Sequence, residues 1–234
     1  MRSLSVYSWL KTHYLIFACL VLVLIICSVF ISLSLRQEIY SAITPPKPKL
    51  KLEELCAQAP LPQLAIGDVI LRQGVSADSA AIAQMSHSIY SHVGMVAQVD
   101  PEITVIHATT EDDLGAPHAG VVEVPLRAFV HESTAIAIVR FALTTKEQQL
   151  IQDFLRSKLG QAFHLDATAD RNYCSTIVAD ALNQHLQLNL QPIYLEIPLL
   201  SGDYLFPQAF IDEPHGKLIY RYPSLPEQSK AQLP

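Results

Sequence analysis
Asn172-Tyr173-Cys174-Ser175-Thr176-Ile177-Val178-Ala179-Asp180-Ala181-Leu182 reads as a turn feeding an amphipathic helix. Ile177, Val178, Ala181 and Leu182 stand at i, i+1, i+4 and i+5, a single apolar stripe that asks for a core to lie against. Cys174 then falls in the first turn. The orphan N–H groups and the positive end of the helix dipole lie there, and both stabilise a thiolate. The thiolate is the nucleophilic form of cysteine. Taken alone, a cysteine at this place is more often a small buried cap than a nucleophile. The histidines upstream change that balance.

Ser91-His92-Val93-Gly94-Met95-Val96-Ala97-Gln98 reads as a strand, Asp100-Pro101 as a turn, and Ile103 to Thr109 as the return strand. Together they make a β-hairpin. In a regular hairpin with an even-numbered loop, the parity of positions 92 and 107 puts His92 and His107 on the same face. The opposite face of the first strand carries Val93, Met95, Ala97 and Val99, a set that faces a core. If the Cys174 helix covers the histidine face, the three side chains form a Cys–His–His arrangement. Cys174 would attack a carbonyl. His92 would take its proton, stabilise the ion pair and later protonate the leaving group. His107 would hold the far nitrogen of His92, the part an Asp or Asn plays in other triads. The Cys174 N–H and nearby polar groups would supply an oxyanion hole. His164, ten residues before Cys174, is the substitute partner. Asp68, after Gly67, secures a turn.

Further out, the chain divides by composition. Tyr14 to Leu35 is a run of 22 residues without a charge, long enough to span a bilayer core. An uncleaved anchor and a signal peptide cut near Ser32-Leu33-Ser34 both fit it, the anchor better, because a signal peptide's apolar region is shorter. Arg2 and Lys11 precede the run; Arg36, Lys47, Lys49 and Lys51 follow it, so flanking charge does not set its orientation. Residues 1–13 are a flank, 14–35 the transmembrane anchor, 36–63 a Pro-rich stalk and 64–222 the folded domain, with a flexible tail over 223–234. Pro45, Pro46, Pro48, Pro60 and Pro62 keep the stalk extended, with one short helix from Lys49 to Ala59. Within the domain, Ile66–Arg72, Gly120–Val124 and Ala135–Phe141 are further strands, and Ala77–Gln84 is a loop or short helix. Leu126–Val130 makes a helical turn. Thr144 or Thr145 caps a helix that runs to Leu159 with Gly160 as its stop. Residues 190–234 read as packed loops.

The chain of 234 residues has net charge −6 and no long basic run, which argues against nucleic acid as a partner. Of its four cysteines only Cys56 and Cys174 lie in the soluble part, too few for a disulfide scaffold. A Cys56–Cys174 disulfide would contradict a catalytic Cys174. No Cys/His spacing suggests a zinc site, and no metal or organic cofactor is implied.

Gly67-Asp68-Val69-Ile70-Leu71, the Ser91–Val96 strand, Tyr173-Cys174-Ser175 and the apolar helix together resemble the permuted papain-like NlpC-type cysteine hydrolases of the YaeF/YiiX group. The resemblance covers roughly residues 64–210, Leu205-Phe206-Pro207 included. In that circularly permuted architecture the His strand precedes the Cys helix; here His92 precedes Cys174 by 82 positions. It implies an α+β fold with a small antiparallel sheet packed on the Cys-bearing helix. It implies a cysteine amidase or peptidase-like hydrolase, with Cys174 and His92 carried over and His107 in the variable third place. Thr176 departs from the acidic residue that often follows the Cys-Ser pair, and the anchor is an addition.

The expectation is a membrane-anchored cysteine hydrolase that cleaves an amide bond, in cell-wall peptides, through a thiol acyl-enzyme. Its partners would be a peptide or acyl-lipid substrate and the membrane. Its place would be the inner membrane, single-pass, with the domain outside. A lipid-directed thioesterase or acyltransferase is the alternative. It needs an apolar groove, for which Ile193, Tyr194, Leu199 and Leu200 are candidates. An inactive membrane-tethered binding domain is the third reading.

Overall fold
Burial along strand β1 (Val69–Gly74) sets the architecture. Val69 and Leu71 join one apolar cluster and Ile70 another, so the strand is covered on both faces. The computed structural model describes residues 28, 49–110, 118–131, 133–165, 171–197 and 201–224. The run Tyr14–Leu35 lies outside these residues save for Ser28, which is helical. Among the described residues no helix is long and apolar enough to cross a membrane. The elements below belong to the unit Pro48–Pro234.

Helix α1 (Leu52–Gln58) precedes β1; α2 (Ala77–Met85) follows it. Then come β2 (His92–Gln98), β3 (Thr104–Thr109), β4 (Gly120–Pro125), α3 (Leu126–His131) and β5 (Ser133–Phe141). Helices α4 (Thr145–Ser157) and α5 (Cys174–Asn183) lead to β6 (Ile193–Leu195), β7 (Gly202–Tyr204), α6 (Ala209–Asp212) and β8 (Gly216–Tyr222). Six strands form an antiparallel sheet in the order β4-β3-β2-β1-β5-β8. One face packs on α4 and α5, through Val93, Met95, Ala97 and Ile106 against Ile151, Leu155, Ile177 and Val178. The other packs on α1 and α3, through Val96, Val105 and Ile138 against Leu55, Leu126 and Phe129.

Several readings hold at this level. The β2–β3 hairpin forms, with Met95 opposite Ile106 and Val96 opposite Val105. Asp68 secures its turn: Oδ2 accepts the Ala65 N–H at 2.8 Å, and Arg140 Nε donates to Oδ1 at 2.7 Å. Thr144 caps α4 in a reciprocal box with Glu147. Other readings need correction. The sheet is larger than the small one expected, because residues 190–222, read as loops, contribute its edge strand β8; they also form a separate two-stranded sheet, β6–β7. Leu55 is buried, so part of the segment read as stalk packs against the folded unit.

Candidate active site
The first turn of α5 carries Cys174. Tyr173 precedes it in extended conformation. Thr176 Oγ1 accepts the Tyr173 N–H at 3.0 Å and donates to the Tyr173 carbonyl at 3.0 Å, so the helix start is closed on itself. The Tyr173 hydroxyl accepts the Leu205 N–H at 2.8 Å. Burial pushes that phenol up to about 12, and it stays neutral while tying α5 to the chain after β7.

His92 opens β2, and β3 places His107 on the same face. His92 Nε2 and His107 Nδ1 are hydrogen-bonded at 2.8 Å, with ring centroids 5.0 Å apart and edge-to-face. Which ring donates depends on the tautomer. Phe129 from α3 packs on both rings, at 5.8 and 5.1 Å. Gly94 lies between the two histidines on that face; a Cβ there would meet Val105 Cγ1 at 2.6 Å and Phe129 at 3.0 Å. The glycine makes room for the histidine pair and its aromatic backing.

The Cys174 helix does not cover the histidine face. It packs on the Val93, Met95 and Ala97 face, and α3 covers the histidines. Cys174 instead meets the sheet at the start of β2. Its sulfur lies 3.9 Å from Ser175 Oγ, and Cys174 joins the apolar cluster that holds Val93. Cys174 and His92 therefore reach one cavity of about 450 Å³ from opposite faces of the sheet, at the strand end. His107 stands behind His92 and is 1% exposed. Val75, Ile82, Met85, Phe163 and Leu165 give the cavity apolar walls. These are not the residues proposed for an acyl groove. Ile193 and Tyr194 are exposed on β6, and Leu199 and Leu200 lie outside the described residues. His164 is exposed and uses its backbone to bridge Asn172.

The electrostatics differ from the expected low thiol. Burial pushes the Cys174 thiol up, against the opposing pull of its hydrogen bonds to Ser175 and Val93 and of the Arg72 charge. Burial also holds His92 well below the usual histidine range, helped by the charges of Arg72 and His107. Both directions favour the uncharged forms, thiol and imidazole, over the ion pair. Cys56 and Cys174 are both free thiols. Among the described residues no group of three or more His, Cys, Asp or Glu is arranged to hold a metal ion.

Sequence reasoning missed Arg72. It lines the cavity, sits opposite His92 across the β1–β2 ladder, and is buried. The only signal was a basic residue ending an otherwise apolar strand.

The family described as "permuted papain-like amidase enzyme, YaeF/YiiX, C92 family" matches residues 63–220. The crystal structure of the metalloprotein YiiX from Escherichia coli O157:H7 is similar in fold. It shares 22% sequence identity at a TM-score of 0.58, over 68% of this chain and 98% of that one. No curated protein matches the chain.

Proposed function
The chain belongs to the permuted papain-like amidases of the YaeF/YiiX group, C92 family, and from that membership and the site geometry we propose that it hydrolyses an amide bond through a thioester on Cys174. The observation that carries this reading is the convergence of Cys174 and His92 on one cavity, with His107 bonded to the far side of the His92 ring at 2.8 Å. Because His92 Nε2 is engaged by His107, Nδ1 is the nitrogen left for the thiol. A base at Nδ1 requires the proton on Nε2, so His92 donates to His107 Nδ1 and the His107 proton resides on its own Nε2.

In the reaction His92 Nδ1 takes the Cys174 proton as Sγ attacks the substrate carbonyl. The tetrahedral oxyanion collapses, the C–N bond breaks, and the imidazolium returns the proton to the departing amine. Water then attacks the thioester, giving its proton to His92. The carboxylic product leaves and the thiolate regains that proton. His107 keeps the ring oriented throughout; as a neutral acceptor it stabilises the imidazolium less than a carboxylate would.

The apolar walls of the cavity favour an apolar group on the acyl side of the scissile bond. The same walls support the second reading, a lipid-directed thioesterase or acyltransferase using the same thiol. We place the enzyme on the inner membrane through Tyr14–Leu35, with the domain outside. A C-terminal reporter fusion that stays cytoplasmic would refute that topology.

The test is acyl-enzyme trapping. Full-length protein is mixed with N-acyl amides, cell-wall peptides and acyl thioesters, and Cys174 is examined by mass spectrometry. An acyl adduct from an amide, absent in Cys174→Ser, supports the amidase. An adduct from thioesters alone moves the lipid-directed reading forward. No adduct from any of them, with an inert Cys174, leaves a membrane-tethered binding domain.

A further inference from the structure
Arg72 has no part in the reaction as derived so far, yet it is built into the site. Its backbone is the register partner of His92. Its guanidinium is 4.6 Å above the Phe129 ring, and Nη1 donates to the Phe129 carbonyl at 2.8 Å. Phe129 is the ring that packs on both His92 and His107. Arg72 is 5% exposed and lines the same cavity as Cys174 and His92. A buried cation is costly, and arginine cannot discard its charge by losing a proton.

We propose that Arg72 is a positioning residue of the thiol reaction: its guanidinium, held on Phe129 beside His92, makes the imidazolium formed during attack a readier proton donor to the leaving nitrogen. The proposal rests on the reading of Cys174 and His92 as nucleophile and base. The chemistry favours such a device. Amide cleavage requires the departing nitrogen to be protonated as the C–N bond breaks, and an imidazolium beside a second fixed positive charge gives up its proton more easily. The same charge offsets the negative charge that passes from sulfur to the oxyanion. Among the described residues, the charged and titratable groups around His92 are Arg72 on β1, His107 on β3 and Cys174 on α5, with Lys49 and Asp78 also on the cavity wall. Of the fixed cations there, Arg72 is the one in register with His92. Its charge acts on His92 and Cys174 in the directions the proposal needs.

Two variants separate charge from packing. Arg72→Gln keeps a donor for the Phe129 carbonyl and removes the charge; Arg72→Lys keeps the charge and removes the planar fork. In full-length protein, the His92 ring is titrated by NMR, assigned with His92→Asn, and alkylation of Cys174 by iodoacetamide is followed from pH 5 to 10 by peptide mass spectrometry. In Arg72→Gln the His92 midpoint rises by about one pH unit and the Cys174 inflection rises with it, as removal of a nearby cation requires. In Arg72→Lys both stay near their wild-type positions. An Arg72→Gln protein that is folded, melts lower and titrates like wild type overturns the proposal, because Arg72 is then a packing residue. If Arg72→Gln does not fold, Arg72→Lys decides: a His92 midpoint moved by a unit in the folded protein overturns the proposal, and an unmoved one supports it. Failure of the underlying thiol reading shows separately, as Cys174 alkylation that is unchanged at every pH in His92→Ala.

Discussion
His107 is a residue whose type matters more than its place. It fills a site that needs only an acceptor, so its removal should impair orientation without abolishing chemistry. We expect His107→Ala to lower kcat by about 100-fold, the low end of what a positioned proton carrier contributes. His107→Asn, which retains an acceptor, should lose less. Steady-state kinetics on whichever substrate acylates Cys174 decide this, and equal losses in both variants would deny His107 an orienting role. Gly94 matters for the opposite reason, an absent side chain. A Cβ at 2.6 Å from Val105 Cγ1 and 3.0 Å from Phe129 displaces the ring that backs both histidines. Gly94→Ala should cost about 1–3 kcal/mol in urea unfolding, the usual penalty of overpacking. An unchanged midpoint would mean that the Phe129 pocket yields freely.

At the scale of elements, α5 is held by burial more than by its ends. Val178 and Leu182 are both fully buried against the sheet and α4. Leu182→Ala should therefore cost about 2–5 kcal/mol. Thr144→Ala, which opens the capping box of α4, should cost about 1 kcal/mol. Denaturant melts of the two variants test the order, and a larger loss at Thr144 would contradict it. The helix also explains how Cys174 and His92, which approach from opposite faces of the sheet, line one cavity. The first turn of α5 brings Cys174 to the cavity at the start of β2, where His92 is the first residue. A nucleophile one turn further along α5 would lie deep in the core.

The whole molecule carries the cost of this site in its response to acid. His92 is held below the usual histidine range, so the unfolded chain binds its proton more readily than the folded one. Stability from this group is fully present above about pH 6.5, the unfolded value, and falls as pH drops from there toward the lowered folded value. The slope approaches about 1.4 kcal/mol per pH unit for one proton. Thermal melts between pH 7 and 5 should show this loss, and His92→Asn should flatten it. Equal slopes in the two proteins would place the acid sensitivity elsewhere.

Local patterns were enough to single out Cys174, His92 and His107, because each sits where a short-range rule acts. Cys174 follows from the apolar stripe of its helix. His92 and His107 share a face as expected, but not through a regular hairpin with an even-numbered loop: the register shifts between Val96 and Gln98, and this offsets the five-residue connection from Gln98 to Thr104. The turn at Asp68 and the cap at Thr144 are equally local. Everything that depended on distant residues was invisible. The strand β8 has only one partner and is half-exposed, so its pattern lacks the alternation of a core strand. The face covered by α5 is set by packing between segments far apart in the sequence. The raised thiol and the lowered imidazole are consequences of burial, and the place of Arg72 beside them comes from pairing across β1 and β2. Sequence periodicity names the side chains that share a face; only tertiary packing decides what covers that face and how dry it becomes.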